Sequence, residues 1–321
     1  MKANTALIER CMDHERRRLC VWGRTQSERQ SLRRRVKSGD LVCVVDGCFA
    51  RVETWNSLDP VERYRWVART LAVLHPDWVF GGMTAAVMYG ISDSIRHLGV
   101  FHIAMDKRRH GGDRGPFRYC LVPEDEYARY AMTDGVRVTP LGRTVFDCLR
   151  HVDFPDGIGL VESVLRQRMM TRDEMRTHCL SLPGRWRSRA LLAVEQAPGG
   201  TDNGGEAYAY GVMIEEGFAA PRVQETVAHP DDATRYDRVD FAWHTADGRF
   251  IVAELDGRVK YRDPSMYVNG SLPDTIIAEK EREERIRLRA DEVVRFSFSE
   301  AYRRRMLVEK LMKAGVPRVG V

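Results

Sequence analysis

A predicted β-hairpin in the last third of the chain constrains its fold more than any other feature of the sequence. Residues 236–243 and 250–256 are predicted to be strands, because apolar side chains dominate both runs. The sequence Ala246-Asp247-Gly248 between them is typical of a three-residue hairpin loop with glycine in the left-handed position. Apolar residues occupy both faces of the second run, so we expect that strand to be buried on both sides.

Three carboxylates are predicted to meet at the open end of this hairpin. With the loop centred on Asp247, Asp240 pairs with Glu254, and directly paired residues point to the same face. Asp256 lies two residues farther along that face. Carboxylates within about 4–6 Å raise one another's pKa unless a cation lies between them, and a hard divalent cation such as Mg²⁺ or Mn²⁺ prefers oxygen ligands. The alternative is an exposed hairpin edge, where these acids pair with nearby basic residues and bind nothing.

Two lysines are candidates for the positive charge that completes such a site. Lys260 follows shortly after the second strand, and Lys280 lies on a predicted helix over residues 275–290. Ile277, Lys280 and Glu284 share one face of that helix, an arrangement that allows Lys280 to face the sheet. The pair Lys280 and Glu284 is equally typical of a solvated helix surface, so both interpretations stay open.

A glycine-rich segment suggests how the chain is divided. Residues 197–205 contain four glycines and a proline, which predicts a linker or exposed loop before a new unit. A length of 321 residues favours two or three domains at about 150 residues each. We therefore expect a mixed α/β protein with regions at residues 1–58, 59–197 and 203–321. The middle region has an α/β pattern and no catalytic motif.

The first region has the pattern of a small DNA-binding module. Helical patterns over residues 5–20 and 26–37 precede two short strands joined by Asp46-Gly47. This order is typical of a winged helix-turn-helix, whose second helix enters the DNA major groove while the hairpin touches phosphates. The candidate DNA-binding residues are the arginines of that helix: Arg29, Arg33, Arg34 and Arg35. The alternative is a helix–hairpin module that only packs against its neighbours.

Composition excludes several other classes of protein. A hydrophobic share of 43% with 30% charged residues indicates a folded chain with a core. The seven cysteines are odd in number and contain no CxxC pair, which argues against a disulfide framework or a structural zinc site. No apolar run approaches the length of a membrane span, and no signal-like stretch follows the first lysine. We therefore expect a cytoplasmic protein with no membrane partner.

A series of motifs in the last region carries a family resemblance: Asp240, the run Glu254-Leu255-Asp256-Gly257-Arg258-Val259-Lys260-Tyr261, and Ala278-Glu279-Lys280 with Arg282. Together they resemble the very-short-patch-repair endonuclease-like branch of the PD-(D/E)XK nuclease superfamily, over residues 203–298. The resemblance implies a restriction-endonuclease-like αβ sandwich that hydrolyses phosphodiester bonds with Mg²⁺. It also implies four metal ligands: Glu206, Asp240, Glu254 and Asp256. Asp256 stands where the commonest pattern has lysine. Members of this branch often carry an acidic residue there and take a cation from elsewhere; the alternative is an inactive relative that keeps only the fold.

The first two regions carry a second resemblance, in short motifs: Ser38-Gly39-Asp40-Leu41-Val42 to Phe49-Ala50, Gly82-Met83-Thr84-Ala85-Ala86-Val87-Met88-Tyr89-Gly90, and Gly135-Val136-Arg137-Val138-Thr139-Pro140 to Asp147. They are similar to the AbiEi antitoxins of type IV toxin–antitoxin systems, which are winged-helix repressors of their own operons. This resemblance implies DNA and a cognate toxin as partners.

Two functions follow from these expectations. The first is a DNA-binding, Mg²⁺-dependent endonuclease, for example in defence against foreign DNA, in which Lys260 or Lys280 steadies the transition-state charge. The second is a non-enzymatic regulator that uses the nuclease fold only as a binding platform.

Overall fold

The computed structural model describes residues 5–92, 94–107, 113–232, 234–256 and 272–319. The chain divides into two compact units, Met1–Cys148 and Leu149–Val321. Within these described ranges, helices combine with three separate sheets, which confirms the predicted mixed α/β class. Among the described residues, no helix combines the length and the apolar composition that a membrane crossing requires.

The first unit begins with two helices and a small sheet. Its elements are α1 (Thr5–Arg16), β1 (Val21–Trp22), α2 (Gln26–Lys37), β2 (Leu41–Val45) and β3 (Cys48–Arg51). Thr25 caps α2 by accepting a hydrogen bond from the backbone N–H of Glu28, and the fully buried Leu32 fixes the inner face of the helix. The predicted helices and hairpin are present, and β1 pairs with β3 to give the strand order β1-β3-β2.

The remainder of the first unit surrounds a five-stranded sheet of order β6-β5-β4-β8-β7. Its elements are α3 (Val52–Ser57), α4 (Pro60–Leu74), β4 (Val79–Phe80), α5 (Gly82–Tyr89), a 3₁₀ turn (Ile95–His97), β5 (Phe101–Met105), β6 (Phe117–Leu121), α6 (Glu124–Ala128), β7 (Ala131–Thr133), β8 (Val136–Val138) and α7 (Leu141–His151). The core of this part forms where α4 packs against the sheet, with Val67, Phe80 and Val138 buried together.

The second unit contains a four-stranded sheet and seven helices among its described residues. Its elements are α8 (Phe154–Arg166), α9 (Arg172–Ser181), α10 (Arg187–Gln196), α11 (Gly204–Glu215), β9 (Arg222–Ala228), β10 (Tyr236–His244), β11 (Phe250–Asp256), α12 (Leu272–Arg287), β12 (Glu292–Ser297), α13 (Phe298–Arg303) and α14 (Arg305–Ala314). The strand order is β12-β11-β10-β9, with β11 antiparallel to β10 and parallel to β12.

The predicted hairpin of the second unit is confirmed in its register. Thr245 donates its backbone N–H to Arg249 across the loop, and the ladder continues to the pair Phe241 and Ala253. Continued by one residue, this register places Asp240 opposite Glu254. Ile251, Val252 and Ala253 are fully buried, so β11 is covered on both faces as its composition predicted.

The division between the units differs from the predicted boundary in the glycine-rich segment. Residues 149–197, which the sequence assigned to the middle region, belong to the second unit, where α8 packs closely against α11. Glu162 of α8 accepts hydrogen bonds from the backbone N–H groups of Gly199, Gly200 and Thr201 at 2.5, 3.0 and 2.9 Å. The glycine content of this segment indicates backbone freedom, but its hydrogen bonds to the buried Glu162 hold residues 199–201 in place.

Candidate active site

The four candidate carboxylates form two pairs around the central strands β10 and β11 of the second unit's sheet. Glu206 and Asp240 share the side-chain amide of Gln224, which lies 2.8 Å from Glu206 Oε2 and 3.5 Å from Asp240 Oδ1. Glu254 and Asp256 share the guanidinium of Arg295, at 3.6 and 3.2 Å. Asp240 connects the pairs, because its Oδ2 accepts the backbone N–H of β11 at Leu255 over 2.8 Å.

Glu206 is held in the first turn of α11 by its own helix cap. Asn203 accepts the backbone N–H of Glu206 and donates its side-chain amide back to Glu206 Oε1. The backbone N–H of Asp202 donates to Glu206 Oε2 at 2.8 Å. Burial and, second, the nearby charge of Asp240 raise the pKa of Glu206 to about 7. A buried acid with this pKa beside a second carboxylate is a feature typical of functional sites.

Gln224 is a site residue that the sequence did not indicate. Its φ of +53° lies in the left-handed region, although it sits within β9 and its neighbours Val223 and Glu225 both pair with β10. A non-glycine residue held in this conformation inside a strand is strained, and such strain concentrates at functional sites. The sequence between β9 and β10 contains no tight turn that would predict how the two strands pair. The position of Gln224 opposite Asp240 could therefore not be predicted from the sequence.

Glu254 is buried at 4% exposure and held by two arginines. Arg282 of α12 approaches with Nη2 at 2.5 Å from Oε1 and Nη1 at 3.3 Å from Oε2. Arg295 of β12 lies beside Glu254 in the parallel ladder. Burial nevertheless raises the pKa of Glu254 above its ordinary value, against the opposing effect of Arg282. The sequence did contain a signal for Arg295, which interrupts the apolar run of β12.

Asp256 differs from the other three carboxylates in being half-exposed. It contacts Arg295 Nε at 3.2 Å, and Arg295 also pairs with Glu279 and Glu283 of α12 at 3.0 and 2.8 Å. Asp256 is therefore the most accessible acid of the site and the one whose replacement disturbs the buried core least.

The structure places Lys280 away from the site. Its side chain is exposed, and Ile277 on the same face of α12 is 55% exposed. The face of α12 that packs on the sheet carries Arg282 and the fully buried Ile286. Of the two interpretations that the sequence left open for Lys280, the structure therefore agrees with the solvated helix surface. The sequence could not decide between them, because α12 has no broad apolar stripe from which its inner face could be deduced. Lys260 lies outside the described residues.

The candidate DNA-binding arginines of the first unit fall into two groups. Arg29, Arg33 and Arg34 are exposed on α2. Arg35 is instead turned toward Asp40, with 3.8 Å between Nη1 and the carboxylate. Arg33 and Arg34 remain available to phosphate, Arg29 also donates its Nε to the backbone carbonyl of Gly23 at 3.2 Å, and Arg35 is the least available of the four.

Comparison with known proteins gives no family for this chain: no protein-family model matches it, and the search of curated proteins found no similar protein.

The chemistry of the donor set fits a hard divalent cation. Four carboxylates on three elements come together around the central strands β10 and β11, and burial together with the negative charge of Asp240 raises the pKa of both Glu206 and Glu254. Among the described residues, no three acidic, histidine or cysteine side chains already form a metal-holding group. Arg282 and Arg295 neutralise Glu254 in this arrangement, so a cation would bind as Arg282 released that carboxylate.

Proposed function

We propose that the second unit is a metal-dependent phosphodiesterase that cleaves DNA. Glu206, Asp240, Glu254 and Asp256 would hold Mg²⁺ or Mn²⁺, and a bound cation of this kind lowers the pKa of a coordinated water and neutralises charge on the phosphate. The observation that carries the proposal is the placement of two buried acids, Glu206 and Glu254, on either side of Asp240, which shares Gln224 with Glu206 and accepts the backbone N–H that follows Glu254.

In this proposal Arg282 stabilises the transition-state charge, the role for which the sequence offered Lys260 or Lys280. Arg282 is partly exposed, and its guanidinium spans Glu254 and the backbone carbonyl of Arg238, so it lies at the rim of the site. Once released from Glu254, its planar fork of N–H donors matches the non-bridging oxygens of a phosphate. In this position it would stabilise the charge that develops during phosphodiester hydrolysis.

Metal-induced stabilisation tests this function without any need to know the DNA target. Mn²⁺ at about 100 times its dissociation constant should stabilise the wild-type protein by roughly 2.7 kcal/mol in thermal unfolding. Asp256→Ala should abolish most of that increase, and Glu309→Ala, which removes an exposed acid of α14, should retain it. Equal Mn²⁺ stabilisation of wild type and Asp256→Ala, or none in either, contradicts the metal site.

A second function is favoured by the first unit and by the paired state of Glu254. Exposed arginines on α2 next to a hairpin support DNA binding by a winged helix, and a Glu254 already neutralised by arginine suits a binding platform without catalysis. Under this regulator function, replacing Arg33 and Arg34 with serine should weaken duplex binding. The slope of log K against log salt should fall in magnitude by about 0.9 for each lost phosphate contact.

Fluorescence anisotropy measures both quantities, with Arg16→Ser, an exposed arginine of α1, as the matched control. An unchanged salt slope in the double serine variant contradicts DNA binding through α2. Operator binding without metal-dependent cleavage of any DNA favours the regulator over the enzyme.

A further inference from the structure

Two half-exposed aromatic side chains form a flat surface on α13. Phe298 and Tyr302 are each 47% exposed, and their rings lie 6.4 Å apart with an interplanar angle of 28°. Beneath them, the buried ring of Tyr208 from α11 contacts both, with centroids at 5.5 and 6.2 Å. The two rings therefore rest on a packed base, and about half of each side chain is exposed to solvent.

The sheet register places these rings beside the candidate active site. Ser297, at the end of β12, is the ladder partner of Asp256, and Phe298 follows it directly. Phe298 also covers the first turn of α11: a Cβ built on Gly205 would lie 3.6 Å from Phe298 Cδ2 and 3.0 Å from Leu255 Cδ2. The residue after Gly205 is Glu206. The aromatic surface is thus continuous with the elements that carry three of the four carboxylates.

An exposed aromatic pair next to a phosphodiester site matches one ligand chemistry well. Nucleobases stack on aromatic rings, and this contact is tolerant of sequence because every base has a flat face. Bases inside a duplex are already stacked on both faces, so only an unpaired base can reach such a surface.

We propose that Phe298 and Tyr302 stack with an unpaired base of the DNA strand whose phosphate reaches the carboxylates, so that the second unit acts on single-stranded or locally unpaired DNA. This inference rests on the proposed phosphodiesterase function and adds its substrate class.

Base-dependent binding can be separated from phosphate attraction with two probes. Anisotropy is measured for a labelled single-stranded oligonucleotide and for one of equal length that carries abasic positions, both without divalent metal so that nothing is cleaved. The two probes have the same phosphates, so α2 attracts them equally and the ratio of their affinities reports only contacts with bases. Wild-type protein should prefer the base-containing strand on the order of 10- to 100-fold.

The variants are chosen to keep the fold while changing the aromatic surface. Phe298→Leu with Tyr302→Leu keeps an apolar cover over Tyr208 and should bring the ratio close to one. Phe298→Trp keeps a stacking face and should retain the preference. Trp186→Leu, which removes an exposed aromatic ring that precedes α10 and packs on Arg189 of that helix, should leave the ratio unchanged.

The outcomes distinguish this inference from the proposed function on which it rests. If the leucine double variant loses the preference for the base-containing strand and the wild type shows no metal-dependent cleavage, the stacking surface is supported and the phosphodiesterase function is contradicted. Cleavage of duplex DNA that the leucine variant retains supports the enzyme and overturns the stacking surface. A wild-type affinity ratio of one also overturns the stacking surface. So does a dimer in sedimentation that the leucine double variant dissociates, because a second copy of the chain would then cover the rings.

Discussion

Replacing Arg282 with methionine tests whether Glu254 is held as a buried ion. Glu254 is 4% exposed, and Arg282 supplies its two shortest contacts with a guanidinium, at 2.5 and 3.3 Å. Removing one partner of a fully buried ion pair costs about 3–5 kcal/mol. Arg282 is 28% exposed and Arg295 remains 3.6 Å from Glu254, so we expect about half of that cost, about 2 kcal/mol at pH 8.

The cost should depend on pH, because the carboxyl group left behind can neutralise itself. Burial already raises the pKa of Glu254 above 4.5, and loss of Arg282 raises that pKa further. A group whose pKa is higher in the folded state binds more protons there, so the folded state gains stability as pH falls through the folded pKa. Most of the destabilisation of Arg282→Met should therefore disappear at pH 5.

Calorimetry at pH 5 and pH 8 is the suitable assay, because the two units can unfold in separate transitions. Arg287→Met is the matched control: it lies on the same helix, is 62% exposed and forms an i,i+4 pair with Glu283, so it should cost at most about 0.5 kcal/mol. Adding Glu254→Gln to Arg282→Met should recover stability at pH 8. Equal losses at both pH values, or a loss no larger than that of the control, would refute the buried-ion interpretation.

Two further predictions concern other buried acids of the second unit. The pKa of Glu206 is raised to about 7, so the folded state keeps a proton that the unfolded chain releases above about pH 4.5. The free energy of unfolding should then fall by at most about 3 kcal/mol as pH rises from 4.5 to 7. Glu206→Gln should flatten this part of the calorimetric stability profile. An unchanged slope in that variant would contradict the raised pKa of Glu206. Glu162→Ala should cost about 3 kcal/mol or more in the same assay, because it leaves the backbone donors of Gly199, Gly200 and Thr201 without their acceptor. A cost below about 1 kcal/mol would show that this segment does not depend on Glu162.

The hairpin of the second unit could be predicted because its information is local. Loop chemistry at Asp247-Gly248 sets the register of β10 and β11, and register alone places Asp240 opposite Glu254. The burial of β11 on both faces follows equally from the apolar residues on each side of the strand. The helices and hairpin of the first unit were predictable for the same reason, since caps and tight turns depend on a few neighbouring residues.

The charge partners at the site could not be predicted in this way. Arg282 meets Glu254 across 28 residues of sequence, and Gln224 meets Glu206 across 18. Lys280 and Arg282 are two residues apart on α12, and the rotation of that helix on the sheet turns the arginine inward and the lysine outward. The glycine-rich segment likewise has a loop composition, yet it is tied to α8 by Glu162. Turn geometry acts between adjacent residues, whereas these contacts form only when separate elements pack and bury their polar groups together.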